Sequence, residues 1–340
     1  MTTVSGALEW PSSQRTTAGT WLISRSGDFW LACAGGGALL VAMTMVLQWH
    51  GDRELDTADL LLSELHLGAT YDAIARGRIW RRMPFDVIVV PLAIMGLTYA
   101  LSFGGYGLVL TSAALYLAAW HRGRQNFGIA RYYQARFGGP ASRWHRRLFT
   151  LAIYAPMIAG VLYFTGTSPT HEGEEYVGPT LDQGLLFGLG GMAAACVVLY
   201  QLFALRHRDQ VHPGERWLVM AQALSFGSAY VLGAWSVSFI LVLAVHHEVQ
   251  YLYFTYAMAR RGAGQRLANV PGEIKLLASF AMWPVLGLAS WALCQQFDSE
   301  WLPPFLIGGL MCHYWLDGRI WTSRARGAAA GVDAATAGAA

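Results

Sequence analysis

Charged residues are scarce in this chain of 340 residues. They make up 13% of the sequence, against roughly 25% in a soluble globular protein. Hydrophobic residues make up 54% of the chain and fall in long runs. An α-helix needs about 20 mostly apolar residues to cross a bilayer. The composition therefore excludes a disordered chain and a coiled coil, and it predicts an all-α, polytopic bundle of membrane helices.

Cysteine is also scarce, and no CxxC pair occurs. The four cysteines all lie inside apolar runs: Cys33, Cys196, Cys294 and Cys312. This pattern indicates neither a disulfide framework nor a thiolate zinc site. No flavin or dinucleotide motif is present, and the net charge of +3 is too small to indicate a nucleic-acid partner.

Nine segments are long and apolar enough to be transmembrane helices. They lie at roughly 29–49, 84–103, 105–121, 147–165, 183–205, 216–232, 234–258, 274–294 and 303–322. Segment 54–80 differs because acidic residues interrupt its leucines, which predicts one amphipathic helix lying at the membrane interface. The chain is thus divided into a polar segment, 1–28, a single transmembrane domain, 29–326, and a Gly/Ala-rich tail, 327–340, that we expect to be disordered.

The arginines predict the orientation of this bundle. They cluster between spans three and four, five and six, and seven and eight, and again after span nine. Cytoplasmic loops carry an excess of Lys and Arg, so these loops and the C-terminus should be cytoplasmic, in an integral protein of the bacterial inner membrane. Counting back from the C-terminus places the N-terminus outside, provided that segment 54–80 does not cross.

Three predicted spans each carry a histidine with a second polar residue four positions later. The pairs are His121/Gln125, His246/Gln250 and His313/Asp317. Residues at i and i+4 lie on the same face of a helix, one turn apart. Basic residues follow each pair, so we expect all three pairs at one depth near the cytoplasmic boundary.

These residue types are typical of a metal site. Histidine is the commonest metal ligand, and carboxylates join it at iron and zinc. Because ionisable residues within membrane spans are costly, they usually have a function. The predicted ligands are His50, His121, His246, His247, His313 and Asp317. Glu248, Gln125 and Gln250 are predicted to serve catalysis, as a carboxylate or by orienting the substrate.

The remaining histidines lie outside the predicted site. His66 is on the amphipathic segment and is not among the predicted ligands. His145, His207 and His212 lie in arginine-rich connections, where we expect surface residues.

A histidine-lined site at the cytoplasmic ends of membrane helices resembles the histidine-box iron enzymes, namely the membrane desaturases, hydroxylases and alkane monooxygenases. The resemblance covers segments 121–125, 246–250 and 313–317, and the HxxxH and HxxHH boxes of those families are absent. It implies a membrane-bound non-haem iron oxidoreductase with one or two iron ions, or zinc. It also implies dioxygen, a lipophilic substrate, and a soluble electron donor such as a ferredoxin or a reductase.

Other functions use the same residue types. A proton- or metal-coupled transporter also employs chains of His, Asp and Glu, but such a path should cross the whole membrane. A haem-b electron carrier needs two histidines on facing helices, such as His121 and His313, in an apolar pocket. A structural subunit, in which the histidines are incidental, is the remaining alternative.

Overall fold

Helices account for nearly all of the structure, a computed structural model of the chain. The residues described are 21–47, 62–63, 65–71, 74, 79–137, 139–140, 142–167, 170–171, 174–175, 177–179, 181–236, 238–263 and 304–319. The predicted all-helical fold is confirmed over these residues. The one exception is a two-residue antiparallel ladder between β1 (Thr170–His171) and β2 (Glu174–Glu175).

Twelve helices are described. The first six are α1 (Arg25–Gly27), α2 (Ala34–Leu47), α3 (65–71), α4 (Ile79–Arg82), α5 (Val90–Phe103) and α6 (Gly107–Arg136). The next six are α7 (Arg143–Thr167), α8 (Gln183–Arg206), α9 (Pro213–Ala221), α10 (Ser228–Gly233), α11 (Ser238–Ala263) and α12 (304–319). Wider, π-helical turns follow α1 (Asp28–Ala32), precede α5 (Phe85–Val89) and join α9 to α10 (Gln222–Gly227).

Three helices in the described part of the chain are long and apolar enough to cross a membrane: Phe85–Phe103, Arg143–Thr167 and Gln183–Arg206. A fourth candidate is the pair Arg25–Ala32 and Ala34–Val46, which is bent by 45°. These helices are consistent with membrane association but fall short of the nine predicted spans. Polar residues midway along α6 and α11 lower the hydropathy of those helices, and span 274–294 lies outside the described residues.

The segment that leads into α1 lies on the same side of the bundle as the arginine-rich connections. The buried carboxylate of Asp28 accepts hydrogen bonds from the hydroxyl groups of Tyr133 on α6, at 2.7 Å, and Tyr253 on α11, at 2.8 Å. From there α2 runs toward the start of α11, where Val41 and Phe239 share a core cluster. Asp28 is thus bonded to helix positions beside the basic loops, which is the opposite of the placement expected on the condition that segment 54–80 does not cross.

Side chains of α11 contact backbone carbonyl groups at the bend between α1 and α2. A helix that ends leaves its last carbonyl groups without partners. Gln250 Nε2 donates to the carbonyl oxygen of Ala32 at 2.7 Å, and His246 Nε2 lies 3.1 Å from that of Cys33. The break in the N-terminal helix thus depends on polar residues in α11.

Two apolar cores lie along the bundle, separated by a polar layer. The core on the basic side includes Ile129, Tyr133, Phe149, Tyr200, Leu218 and Phe254. The other core includes Val41, Ala119, Met157, Phe164, Tyr230 and Leu243. Along α6 and along α11, the histidines lie between members of the two cores. The site is therefore midway along both helices, with packed protein on each side.

Two histidines that we expected on the surface are buried. His145 Nε2 lies 2.7 Å from Glu215 Oε1, which also accepts hydrogen bonds from Gln134 and Tyr200. His212 caps the start of α9, where its ring accepts a hydrogen bond from a backbone N–H at 3.0 Å. Their arginine-rich surroundings in sequence conceal these tertiary partners. His207 is half-buried.

Helix α7 and the π-helical turn before α10 approach closely at Gly160. A Cβ atom at this position would lie 2.7 Å from the carbonyl oxygen of Gly227. Gly160→Val should therefore lower the free energy of unfolding by about 1–3 kcal/mol, because one helix must shift. Thermal unfolding in detergent measures this. Gly188→Val is the control, because a Cβ atom there meets open space, and it should change the free energy of unfolding by less than about 0.5 kcal/mol. An equal loss of stability in the two variants would contradict the close approach of the helices at Gly160.

His212 should make stability depend on pH. Burial lowers its pKa to about 4, below the value of about 6.5 in an unfolded chain. Between about pH 6.5 and pH 4 the unfolded chain binds a proton on His212 and the folded chain does not. The free energy of unfolding is therefore at its full value above about pH 6.5 and decreases as the pH falls toward 4. We expect a loss of up to about 3 kcal/mol over that interval. His212→Asn keeps an acceptor that can cap α9, and it should make the free energy of unfolding less dependent on pH over this interval. An unchanged pH dependence would contradict the assignment of this effect to His212.

Candidate metal centre

Three imidazole rings surround one carboxylate oxygen in the polar layer. Asp317 Oδ2 lies 3.7 Å from Nε2 of His66, 3.8 Å from Nε2 of His121 and 3.7 Å from Nε2 of His313. All four residues are buried, with at most 7% of their surface exposed. They come from α3, α6 and α12, so the centre forms only when these helices pack together.

The distances within this group suit metal ligands better than hydrogen bonds. Separations of 3.7–3.8 Å are too long for hydrogen bonds. Within the described structure, His66 Nε2, His121 Nε2 and Asp317 Oδ2 have no hydrogen-bond partner, which is costly for buried atoms. Ligands bound at 2.0–2.1 Å in a tetrahedron stand about 3.4 Å apart. An ion between these atoms would satisfy all of them at once.

Hydrogen bonds from neighbouring helices orient two of the ligands. Asp317 Oδ1 accepts from the hydroxyl groups of Thr70, at 2.8 Å, and Tyr251, at 2.9 Å, which leaves Oδ2 facing the centre. His313 Nδ1 lies 3.3 Å from Thr70 Oγ1. Metal-binding histidines almost always use their second ring nitrogen in such a hydrogen bond.

Stacked aromatic rings hold the other two histidines. The ring of His66 lies against that of Tyr251, with centroids 3.7 Å apart and planes at 26°. The ring of His121 lies against that of Tyr314, with centroids 4.5 Å apart and planes at 25°. Both stacks restrict rotation of the imidazoles.

A second group shares His66. Its Nδ1 is in close contact with Glu248 Oε2, and Ser63 donates to Glu248 Oε1 at 3.3 Å. The ring centroids of His247 and His66 are 5.1 Å apart. The Nδ1 atom of His247 has no hydrogen-bond partner among the residues described. His66, His247 and Glu248 are placed so that they too could hold a metal ion.

His66 lies between two buried carboxylates. Burial alone would lower the pKa of its ring, but Glu248 and Asp317 outweigh that effect and raise it to about 9. Without a cation, a proton on His66 therefore balances part of their charge. A bound metal ion would take the place of that proton.

The structure brings most of the predicted site residues together. His121, His313 and Asp317 lie in the first group, and His247 and Glu248 lie in the second. His246 belongs to neither group, because its ring points to the carbonyl group of Cys33. His50 lies outside the described residues.

Gln125 and Gln250 lie in a buried amide network outside both groups. Gln125 Nε2 donates to Gln250 Oε1 at 2.9 Å and to the carbonyl oxygen of His247 at 3.2 Å. Gln250 Nε2 donates in turn to Asn126 Oδ1 at 2.7 Å. The two glutamines pair with each other because α6 and α11 face each other at this level.

Sequence reasoning missed His66 and Thr70. Both lie on α3, and with Ser63 they occupy positions 63, 66 and 70, which share one face of a helix. This polar stripe is the signal that could have identified them. It was obscured by the acidic residues that make segment 54–80 resemble a solvent-facing interfacial helix.

The first group should control metal content. His121→Ala and His313→Ala should each remove bound metal from protein purified in detergent, because each deletes one of four ligands. Elemental analysis measures this, and circular dichroism checks that the variants fold. His207→Ala, outside both groups, should retain the metal. Wild-type metal content in either cluster variant would contradict the assignment.

Comparisons with known proteins identify no relative. The chain matches no protein-family model, no curated protein and no solved structure. The established conclusion is a helical chain whose buried His/Asp cluster could bind a metal ion.

Proposed function

We propose that this chain is a metal-dependent integral membrane enzyme, specifically a non-haem iron oxygenase, hydroxylase or desaturase. The observation that carries the proposal is the convergence of three histidine Nε2 atoms on Asp317 Oδ2. This donor set of imidazole and carboxylate, without thiolate, suits iron and also zinc. Bound iron would supply the activation of dioxygen.

Each residue of the centre has a distinct role in this proposal. His66, His121, His313 and Asp317 would hold one ion, and Glu248 would then accept the hydrogen bond from His66 Nδ1. A second ion at His66, His247 and Glu248 would take the place of that proton. The aromatic rings that cover the histidines exclude water from the centre.

The apolar surface supports a lipophilic substrate. On α5 and α8, many large apolar side chains are exposed, the most exposed being Leu92 at 67% and Phe187 at 68%. Such helices suit contact with lipid tails. We propose that the helical bundle admits the substrate from the bilayer and that its basic loops and C-terminus are cytoplasmic.

The reaction needs electrons from outside the chain. Hydroxylation inserts one oxygen atom into a C–H bond and reduces the other to water with two electrons and two protons; desaturation uses the same electrons and yields two waters. Exposed arginines lie around the start of α7, at Arg143, Arg146 and Arg147. Their charge suits an acidic soluble donor such as a ferredoxin or a reductase.

The geometry favours this function over the alternatives. The rings of His121 and His313 are only 5.0 Å apart, with Asp317 Oδ2 within 3.8 Å of both Nε2 atoms, so a flat haem has no slot between them. A transporter needs polar groups along a path through the membrane. Here the polar layer is followed by an apolar core toward the start of α11.

Elemental analysis and an absorption spectrum of protein purified in detergent test the proposal. We expect about one or two irons per chain and no Soret band. With a reduced ferredoxin and membrane lipid extract, the wild type should consume dioxygen and Asp317→Asn should not, whereas His207→Ala should resemble the wild type. A Soret band, zinc alone, or no stoichiometric metal in folded protein never exposed to chelator would contradict the iron oxygenase.

A further inference from the structure

The hydroxyl group of Thr70 on α3 contacts both His313 and Asp317 on α12. Its Oγ1 lies 2.8 Å from Asp317 Oδ1, 2.8 Å from the hydroxyl oxygen of Tyr251 and 3.3 Å from His313 Nδ1. The residue is fully buried. A single hydroxyl group therefore contacts both the carboxylate and one imidazole of the first group, at Oδ1 and Nδ1, the atoms that do not belong to the Oδ2–Nε2 contact.

The chemistry of these groups fixes where the protons lie. A hydroxyl group donates one hydrogen bond and accepts up to two, whereas an ionised carboxylate only accepts. Thr70 donates its one proton to Asp317 Oδ1, an ionised acceptor at 2.8 Å that is closer than His313 Nδ1 at 3.3 Å, so only lone pairs of Thr70 remain for His313. It follows that His313 Nδ1 carries the ring proton and that Nε2 keeps the lone pair that a metal ion requires.

We infer that Thr70 is a positioning residue, whose hydroxyl group selects the metal-binding tautomer of His313 and turns Asp317 Oδ2 toward the ion. The inference rests on the proposed metal centre and explains why α3 is needed to complete it. Without the hydroxyl group, His313 could place its proton on either nitrogen and Asp317 would lose one of its two donors. The ligands would remain, but their arrangement would no longer be fixed.

Co²⁺ added to metal-depleted protein in detergent tests this inference. The visible spectrum of Co²⁺ reports the arrangement of its ligands, and chelator competition gives its affinity. Thr70→Val should weaken Co²⁺ binding roughly 10- to 100-fold, the usual cost of removing such a partner, and should change the spectrum. Thr70→Ser, which keeps the hydroxyl group, should restore both.

Thr98→Val is the matched control. Thr98 is equally buried, but its hydroxyl group bonds to the carbonyl of Ile94 in its own helix, so Co²⁺ affinity and spectrum should match the wild type. Should Thr70→Val fail to fold, Thr70→Ala removes the same hydroxyl group with a smaller side chain.

The outcomes separate this inference from the proposed function. A Thr70→Val protein with wild-type affinity and spectrum would overturn the role of Thr70 and leave the metal centre intact. Equal losses in Thr70→Val and Thr70→Ser would show that packing matters instead of the hydroxyl group, and would also overturn it. A folded wild type that binds no Co²⁺ would overturn both.

Discussion

A buried carboxylate oxygen without a hydrogen-bond donor among the described residues sets the main constraint on this bundle. Asp317 Oδ2 faces three imidazole nitrogens at 3.7–3.8 Å, and Glu248 adds a second carboxylate on the far side of His66. Burying a charge without a partner is strongly unfavourable. A divalent cation would balance the two carboxylates and give the lone pairs of the histidines a partner. One ion would thus resolve the charge and the unsatisfied polar atoms of the first group.

The surrounding structure supports this layer. Apolar cores lie on both sides of it, and the amide groups of Gln125, Asn126 and Gln250 join α6 to α11 within it. His246 and Gln250 contact backbone carbonyl groups at the bend in the N-terminal helix and do not belong to the candidate metal centre. Neighbouring residues of α11 therefore either join helices of the bundle or line the candidate metal centre, according to the face on which they lie.

The helix repeat explains why the sequence indicated much of the site. Spacing at i and i+4 places His313 and Asp317 on one face, and the same reasoning drew attention to His121 and His246, with His247 as the neighbour of His246. It could not decide between His246 and His247, because adjacent residues differ by about 100° around a helix and only packing shows which face is inward. His66 and Thr70 depend on the docking of α3, and the partners of His145 and His212 are equally remote in sequence. The all-helical fold follows from composition, whereas nine spans exceed what the described helices support.

Anomalous X-ray diffraction from crystals of the iron-loaded protein, recorded at the iron absorption edge, tests the central claim most directly. The account predicts an anomalous peak about 2.0–2.2 Å from Nε2 of His66, His121 and His313 and from Oδ2 of Asp317. A peak held by other residues, or the absence of any peak in this layer when the crystals contain stoichiometric iron, would contradict it.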